Sequence, residues 1–261
     1  MSNHAQDTTK APEAGAASAG QAKGLPKEIE RFNVVFRIQH VIMFVTFLLL
    51  AFTGWALKYP AVEPSHWWVN IWGGPEIAGI IHRVSGVTML LDFGWHVAYL
   101  AYLFATGRMK IRAETTIIPL PRDIIDVVHN YLYFFGLSKT RPRFGRFSYL
   151  HKFDYWAVFW GMGIIGASGF ALAFPVMTSR VFPEMTLGWI WPILRIMHSD
   201  EALLAIVFIF FWHFYNEHLK AGKFPMSWTW LTGRISVEEM KHEHPREFEL
   251  MFPEAAKSDR E

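Results

Sequence analysis

Apolar residues gather along the chain in four long runs, 32–57, 77–104, 153–174 and 189–214, with charge, proline and glycine returning between them. A helix needs about 20 mostly apolar residues to cross the hydrocarbon of a bilayer. The pattern therefore predicts four transmembrane helices. The first starts after Glu28, with Arg31 and Arg37 at its boundary, and ends near Thr53-Gly54-Trp55. The connector that follows is rich in proline, glycine and tryptophan (Pro60, Pro64, Trp67, Trp68, Trp72, Pro75), and indole rings favour the headgroup level, so it should lie flat on the membrane surface. The middle loop, 105–149, contains a helical pattern over 122–135 and a basic, proline-containing turn over 139–146. Gly161, Gly163, Gly166 and Gly169 in the third run point to close helix packing.

The two ends read differently. Residues 1–27 are mostly Ala, Gly, Ser, Thr and Gln without an apolar face, which predicts a disordered tail. They hold no short apolar core before a small-residue cleavage site, so no signal peptide is expected. After the fourth run come His218, a turn over 220–224, a Trp228-Thr229-Trp230 interface anchor and a polar tail with His242 and His244. The expected organisation is a tail over 1–27, a four-helix transmembrane domain over 28–219 and a cytoplasmic tail over 220–261. The fold class is all-α, an integral membrane four-helix bundle.

Charge orients that bundle. Segments 1–37, 105–149 and 219–261 hold five, eight and seven lysines and arginines, whereas the connectors 58–81 and 176–197 hold one and two. Loops retained in the cytoplasm carry the positive excess, so both termini and the middle loop should be cytoplasmic. A net charge of +2 gives no basic stripe for nucleic acid. The chain has no cysteine, which excludes disulfides, thiolate metal sites, iron–sulfur ligation and covalent c-type haem attachment on this chain.

The histidines carry the candidate chemistry. His82 and His96 lie fourteen apart on the second helix, roughly 40° short of four turns and about 21 Å along the axis, so they share a face. His198 and His213, fifteen apart on the fourth, overshoot four turns by roughly 60°. With the amino terminus inside, His82 and His198 are at the outer depth, and His40, His96 and His213 at the inner. A lone histidine in an apolar helix is more often hydrogen-bonded packing than a ligand; four at matched depths reverse those odds. Pairs of neutral imidazoles at two depths suit two stacked six-coordinate haems, an arrangement that favours electron transfer. Arg37, Arg83 and Arg195 stand at the boundaries where haem propionates would need cations, or they snorkel to the interface. His151, His218, His242 and His244 read as surface residues. Asp92, costly at its depth, would relay protons or hydrogen-bond a ligand histidine; Asp154 and Glu217 are candidate proton donors on the inner side, and Asp200 and Glu201 outer surface features. The rival classes are a histidine-based metal or proton transporter and a cofactor-free membrane anchor.

These residues resemble the membrane cytochrome b subunits of respiratory formate dehydrogenase and nickel–iron hydrogenase, and more closely the bacterial cytochrome b/b6 domain group, over about 31–250. His40 precedes the Thr53-Gly54 pair by the spacing of the formate dehydrogenase subunit's first helix, and His82 with Gly86 matches its second. Arg146-Phe147-Ser148-Tyr149 leading to Asp154-Tyr155-Trp156, Glu201-Ala202-Leu203-Leu204-Ala205, Trp212-His213-Phe214-Tyr215 and Glu243-His244-Pro245 are similar to the cytochrome b/b6 group. The resemblance implies two b-type haems, or three, with His82 and His198 on the outer one. His213 would hold the inner one with either His40 or His96, because the chain carries both. It further implies a quinone (menaquinone or ubiquinone) exchanging electrons near the inner haem. The outer face would meet a periplasmic multihaem c-type cytochrome or an iron–sulfur or molybdenum subunit, across the bacterial cytoplasmic membrane.

Overall fold

The computed structural model describes residues 24–186, 188–220 and 223–258; most of the predicted 1–27 tail lies outside the described residues. The chain is mostly helical, running α1 (Val34–Lys58), α2 (Glu63–Ile71), α3 (Pro75–Ala105), α4 (Pro121–Phe134), α5 (Tyr149–Ala173), α6 (Pro175–Val181) and α7 (Ile190–Val207). A π-wound segment, Phe208–Leu219, continues α7 without a break, and four short helices close the chain: α8 (Thr229–Thr232), α9 (Val237–Glu243), α10 (Pro245–Met251) and α11 (Pro253–Ser258). It is not purely α. Strands β1 (Glu28–Glu30) and β2 (Arg234–Ser236) pair antiparallel with Ile29 opposite Ile235. The first helix accordingly starts at Val34, where the Asn33 side chain accepts from the Phe36 N–H, because the residues before it are held in a strand.

Helices α1, α3 and α5 are each long and apolar enough to cross a membrane. Their faces are inverted relative to a protein in water. The buried positions of α1 are Gln39, Thr46, Ala51, Thr53 and Ala56, and those of α3 are Ala78, Gly79, Ser85 and Asp92. Val45, Phe52, Val84 and Leu91 point outward. A continuous apolar outer surface of this extent is unfavourable in water and fits a lipid surround. The fourth apolar run differs from the other three: α7 by itself carries Arg195, Asp200 and Glu201, and its apolar remainder lies in the π-wound segment. Helix α1 packs along α3 and α5 along α7, with α3 touching α5 and α1 touching α7, so the rods close into a ring with α3 opposite α7.

The polar segments meet at one end of these rods. The stretch after Leu219 is folded rather than a plain tail: Ile235, Val237, Met240, Phe248 and Ala256 form a small core joined by Leu25, Ile29 and Phe252. Arg31 and Arg146 both pair with Glu247, at 2.9 and 2.8 Å, and each guanidinium also donates to the other arginine's backbone carbonyl. One carboxylate thus ties together the amino-terminal segment, the middle loop and the carboxy-terminal cap. Gly233 makes the close turn beside this clasp, at φ 75°, where a side chain would run into the Phe32 carbonyl.

Candidate functional site

A continuous cavity of about 2460 Å³ runs inside the ring, several times the size of a drug-sized ligand pocket. Arg83 and His198 line it toward the α2 end, and His218 and Glu239 toward the cap.

At the α2 end, His82 and His198 face one another from opposite rods, with ring centroids 6.2 Å apart and planes at 82°. Their partners fix which nitrogen is free. The Thr53 hydroxyl gives its hydrogen to the Leu49 carbonyl at 2.5 Å, so toward His82 it accepts, from the Nδ1–H at 2.9 Å. The Nδ1–H of His198 donates to the Ile165 carbonyl at 3.0 Å. Each ring therefore keeps its Nε2 lone pair for a metal, the standard orientation of a ligating histidine. Two imidazoles from opposite rods, 6.2 Å apart at their ring centroids, are a donor set that would hold one metal group between them. Glycine makes the room. A Cβ on Gly54 would come within 3.1 Å of His82 Cε1, and one on Gly169 within 2.7 Å of His198 Cε1. The donor set and the glycine cradles thus fit a bis-imidazole metal group.

Toward the cap, His40, His213 and His218 bring one nitrogen each within 4.8 Å of one another. His213 Nδ1–H donates to Asp154 at 3.2 Å, again leaving Nε2 as ligand atom. His40 Nδ1, His218 Nδ1 and the Trp230 indole nitrogen are buried without a hydrogen-bond partner among the described residues, and their three rings touch.

His96 stands outside this cluster. Its Nδ1–H donates to Gln39 Oε1 at 3.0 Å and its Nε2 accepts from the Tyr155 hydroxyl at 3.1 Å, so both nitrogens are engaged. Asp92 is buried with one oxygen unpartnered among the described residues, and the hydrogen bonds of His96 go to Gln39 and Tyr155 rather than to it. Of the arginines, Arg37 donates to the Thr232 carbonyl at 2.5 Å, and its Nε is buried without a hydrogen-bond partner among the described residues. Arg83 and Arg195 line the cavity and make no ion pair among the described residues. Glu217 is held by His151 at 3.2 Å, and Asp200 pairs with Lys58 at 2.5 Å.

Two expectations are corrected. His218 and His244 are buried, not surface residues, because the cap folds over them. The roughly 60° overshoot between His198 and His213 assumed an unbroken α-helix; the i→i+5 winding from Phe208 takes up the extra residue and turns His213 back toward the cavity. Sequence reasoning missed Gln39, Tyr155, Ser168 and Trp230. For Gln39 and Ser168 the signal was spacing, since Gln39 precedes Thr53 by fourteen positions and Asp154 precedes Ser168 by the same number.

No family model matches the chain, and no curated protein matches it. The resemblance to membrane cytochromes b rests on the motifs quoted above.

Proposed function

We propose that the chain is the membrane cytochrome b subunit of a respiratory complex, a four-helix transmembrane bundle in a bacterial cytoplasmic membrane with both termini inside. In this reading it carries electrons through two b-type haems between a quinone, menaquinone or ubiquinone, and a periplasmic redox subunit. The observation that supports the proposal is the His82–His198 pair: two imidazoles from opposite rods, each engaged through Nδ1, with ring centroids 6.2 Å apart.

Haem held by these imidazoles would supply reversible one-electron chemistry. The protein supplies placement. Thr53 and the Ile165 carbonyl hold the outer imidazoles in one tautomer, and Gly54 and Gly169 let them sit close against α1 and α5. Arg83 and Arg195 would meet anionic groups at that end. On the inner side, His213, steadied by Asp154, would pair with His40, which shares a cluster with it and His218. The unpartnered polar atoms around Trp230 give a quinone headgroup hydrogen-bonding partners beside that site. The cap, the middle loop and the amino-terminal segment share the cytoplasmic end, in line with their lysines and arginines.

Histidine-based metal transport is the second reading, and the three-imidazole cluster favours it. It leaves the glycine cradles at His82 and His198 without a purpose. The two part in proteoliposomes. A quinol analogue should reduce the protein's chromophore and, with an external acceptor, build a membrane potential. Metal accumulation inside the vesicles without quinol-dependent reduction would reject the electron-carrier proposal.

A further inference from the structure

Helices α1 and α5 have the same length and begin after capping residues 115 positions apart, Asn33 and Ser148. Their site positions keep that interval. Thr53 and Ser168 each give the hydroxyl hydrogen to the carbonyl four residues back. Gly54 and Gly169 each lie against an outer imidazole. Gln39 and Asp154 each accept from the Nδ1–H of an inner histidine. Helices α3 and α7 also start 115 positions apart, at Pro75 and Ile190, and carry His82 with His96 and, shifted by one and two further residues, His198 with His213. The body is therefore two copies of one two-helix unit, α1 with α3 and α5 with α7.

The outer level maps onto itself under this relation, since His82 of one copy faces His198 of the other. The inner level does not. His213 of the second copy lies in one cluster with His40 of the first and with His218, and the position equivalent to 40 sets His96 of the first copy against position 155 of the second. There the side chain is Tyr155.

We infer that the inner level holds two equivalent half-sites, and that the side chains at positions 40 and 155 decide which of them takes a metal. An imidazole at position 40 offers a lone pair beside His213. A phenol at position 155 instead donates its hydrogen to His96 Nε2, and with Gln39 on Nδ1 that histidine has no nitrogen left. Tyr155 is thus a specificity-determining residue that keeps the inner metal on the α1–α7 side. His96 is the ligand position of a half-site closed by hydrogen bonds.

The inference rests on the haem proposal, and its test uses the full chain with haem counted per polypeptide and low-spin iron signals recorded by electron paramagnetic resonance. His96→Ala should leave the count unchanged. Tyr155→His should raise it by one haem with a new low-spin signal, and His96→Ala in that background should remove the addition. A haem lost from His96→Ala alone overturns the inference, because it would mean that His96 and His213 share one iron. So does Tyr155→His with an unchanged count and intact native signals. If Tyr155→His fails to accumulate, His96→Ala in the native chain still decides. A native chain without any b-type band would instead reject the haem proposal itself.

Discussion

A methyl group is enough to probe the outer site. Gly169→Ala puts a Cβ within 2.7 Å of His198 Cε1, closer than such atoms approach, whereas Gly163 on the same helix has open space around it. Gly169→Ala should therefore cost the outer haem, and Gly163→Ala should retain it; equal haem content in the two would remove the steric argument. Thr53→Val keeps the shape but deletes the acceptor for His82 Nδ1–H. Loss of such an outer partner typically lowers metal affinity about 10- to 100-fold, which a haem-transfer assay to an apoprotein acceptor would register. His244 gives a pH dependence. Burial, with Arg31 and His151 nearby, pushes its pKa down to about 2, and its Nδ1–H donates to the Gly145 carbonyl at 2.8 Å. The folded cap holds this ring neutral, while in the unfolded chain it takes a proton below about pH 6.5. The unfolded state therefore gains as pH falls below 6.5, by about 2 kcal/mol at pH 5. Cap stability followed by proteolysis should drop across that window in the native chain and change less in His244→Gln.

Among the elements, the long apolar runs were legible because period and length alone specify a helix in lipid. The 122–135 pattern likewise appears as α4, Pro121–Phe134. The π-wound segment was not legible: the extra residue between His198 and His213, relative to His82 and His96, stands in the sequence, but the i→i+5 winding that accommodates it does not. The cap was missed for another reason. Its core of Ile235, Val237, Met240 and Phe248 is small, and it depends on β1, more than 200 residues away in sequence. Glu247 is the element-scale test. Its carboxylate is buried between Arg31 and Arg146, and breaking a buried pair by removing one partner costs about 3–5 kcal/mol. Glu247→Ala should open the cap to limited proteolysis without changing the spectrum of the outer site; unchanged protease resistance would show that the clasp contributes little.

At the scale of the molecule, the repeat explains why the histidines fell at matched depths, yet the sequence hid it. Aligned at 115 residues, α1 and α5 share only Phe44, Gly54, Ala56 and Leu57 with Phe159, Gly169, Ala171 and Leu172. The other positions are free to vary wherever they face lipid. Spacing gives His40 and His96 the same standing; the hydrogen bonds that engage both nitrogens of His96, and the cluster that gathers His40 with His213 and His218, depend on tertiary contacts that no sequence pattern shows. Topology can be measured directly, since the chain has no cysteine. In intact spheroplasts an impermeant maleimide should label Glu63→Cys on α2, and it should reach Glu254→Cys on the cap only after lysis. Labelling of both before lysis would contradict the orientation. The central claim is that His82 and His198 bind one iron between opposite rods. Its most direct test is the dithionite-reduced minus oxidised absorption of purified native chain beside His82→Ala and His198→Ala. A b-type band in the native protein, with one haem lost in either variant, is the predicted result. A featureless native spectrum, or variants that keep every haem, would contradict it.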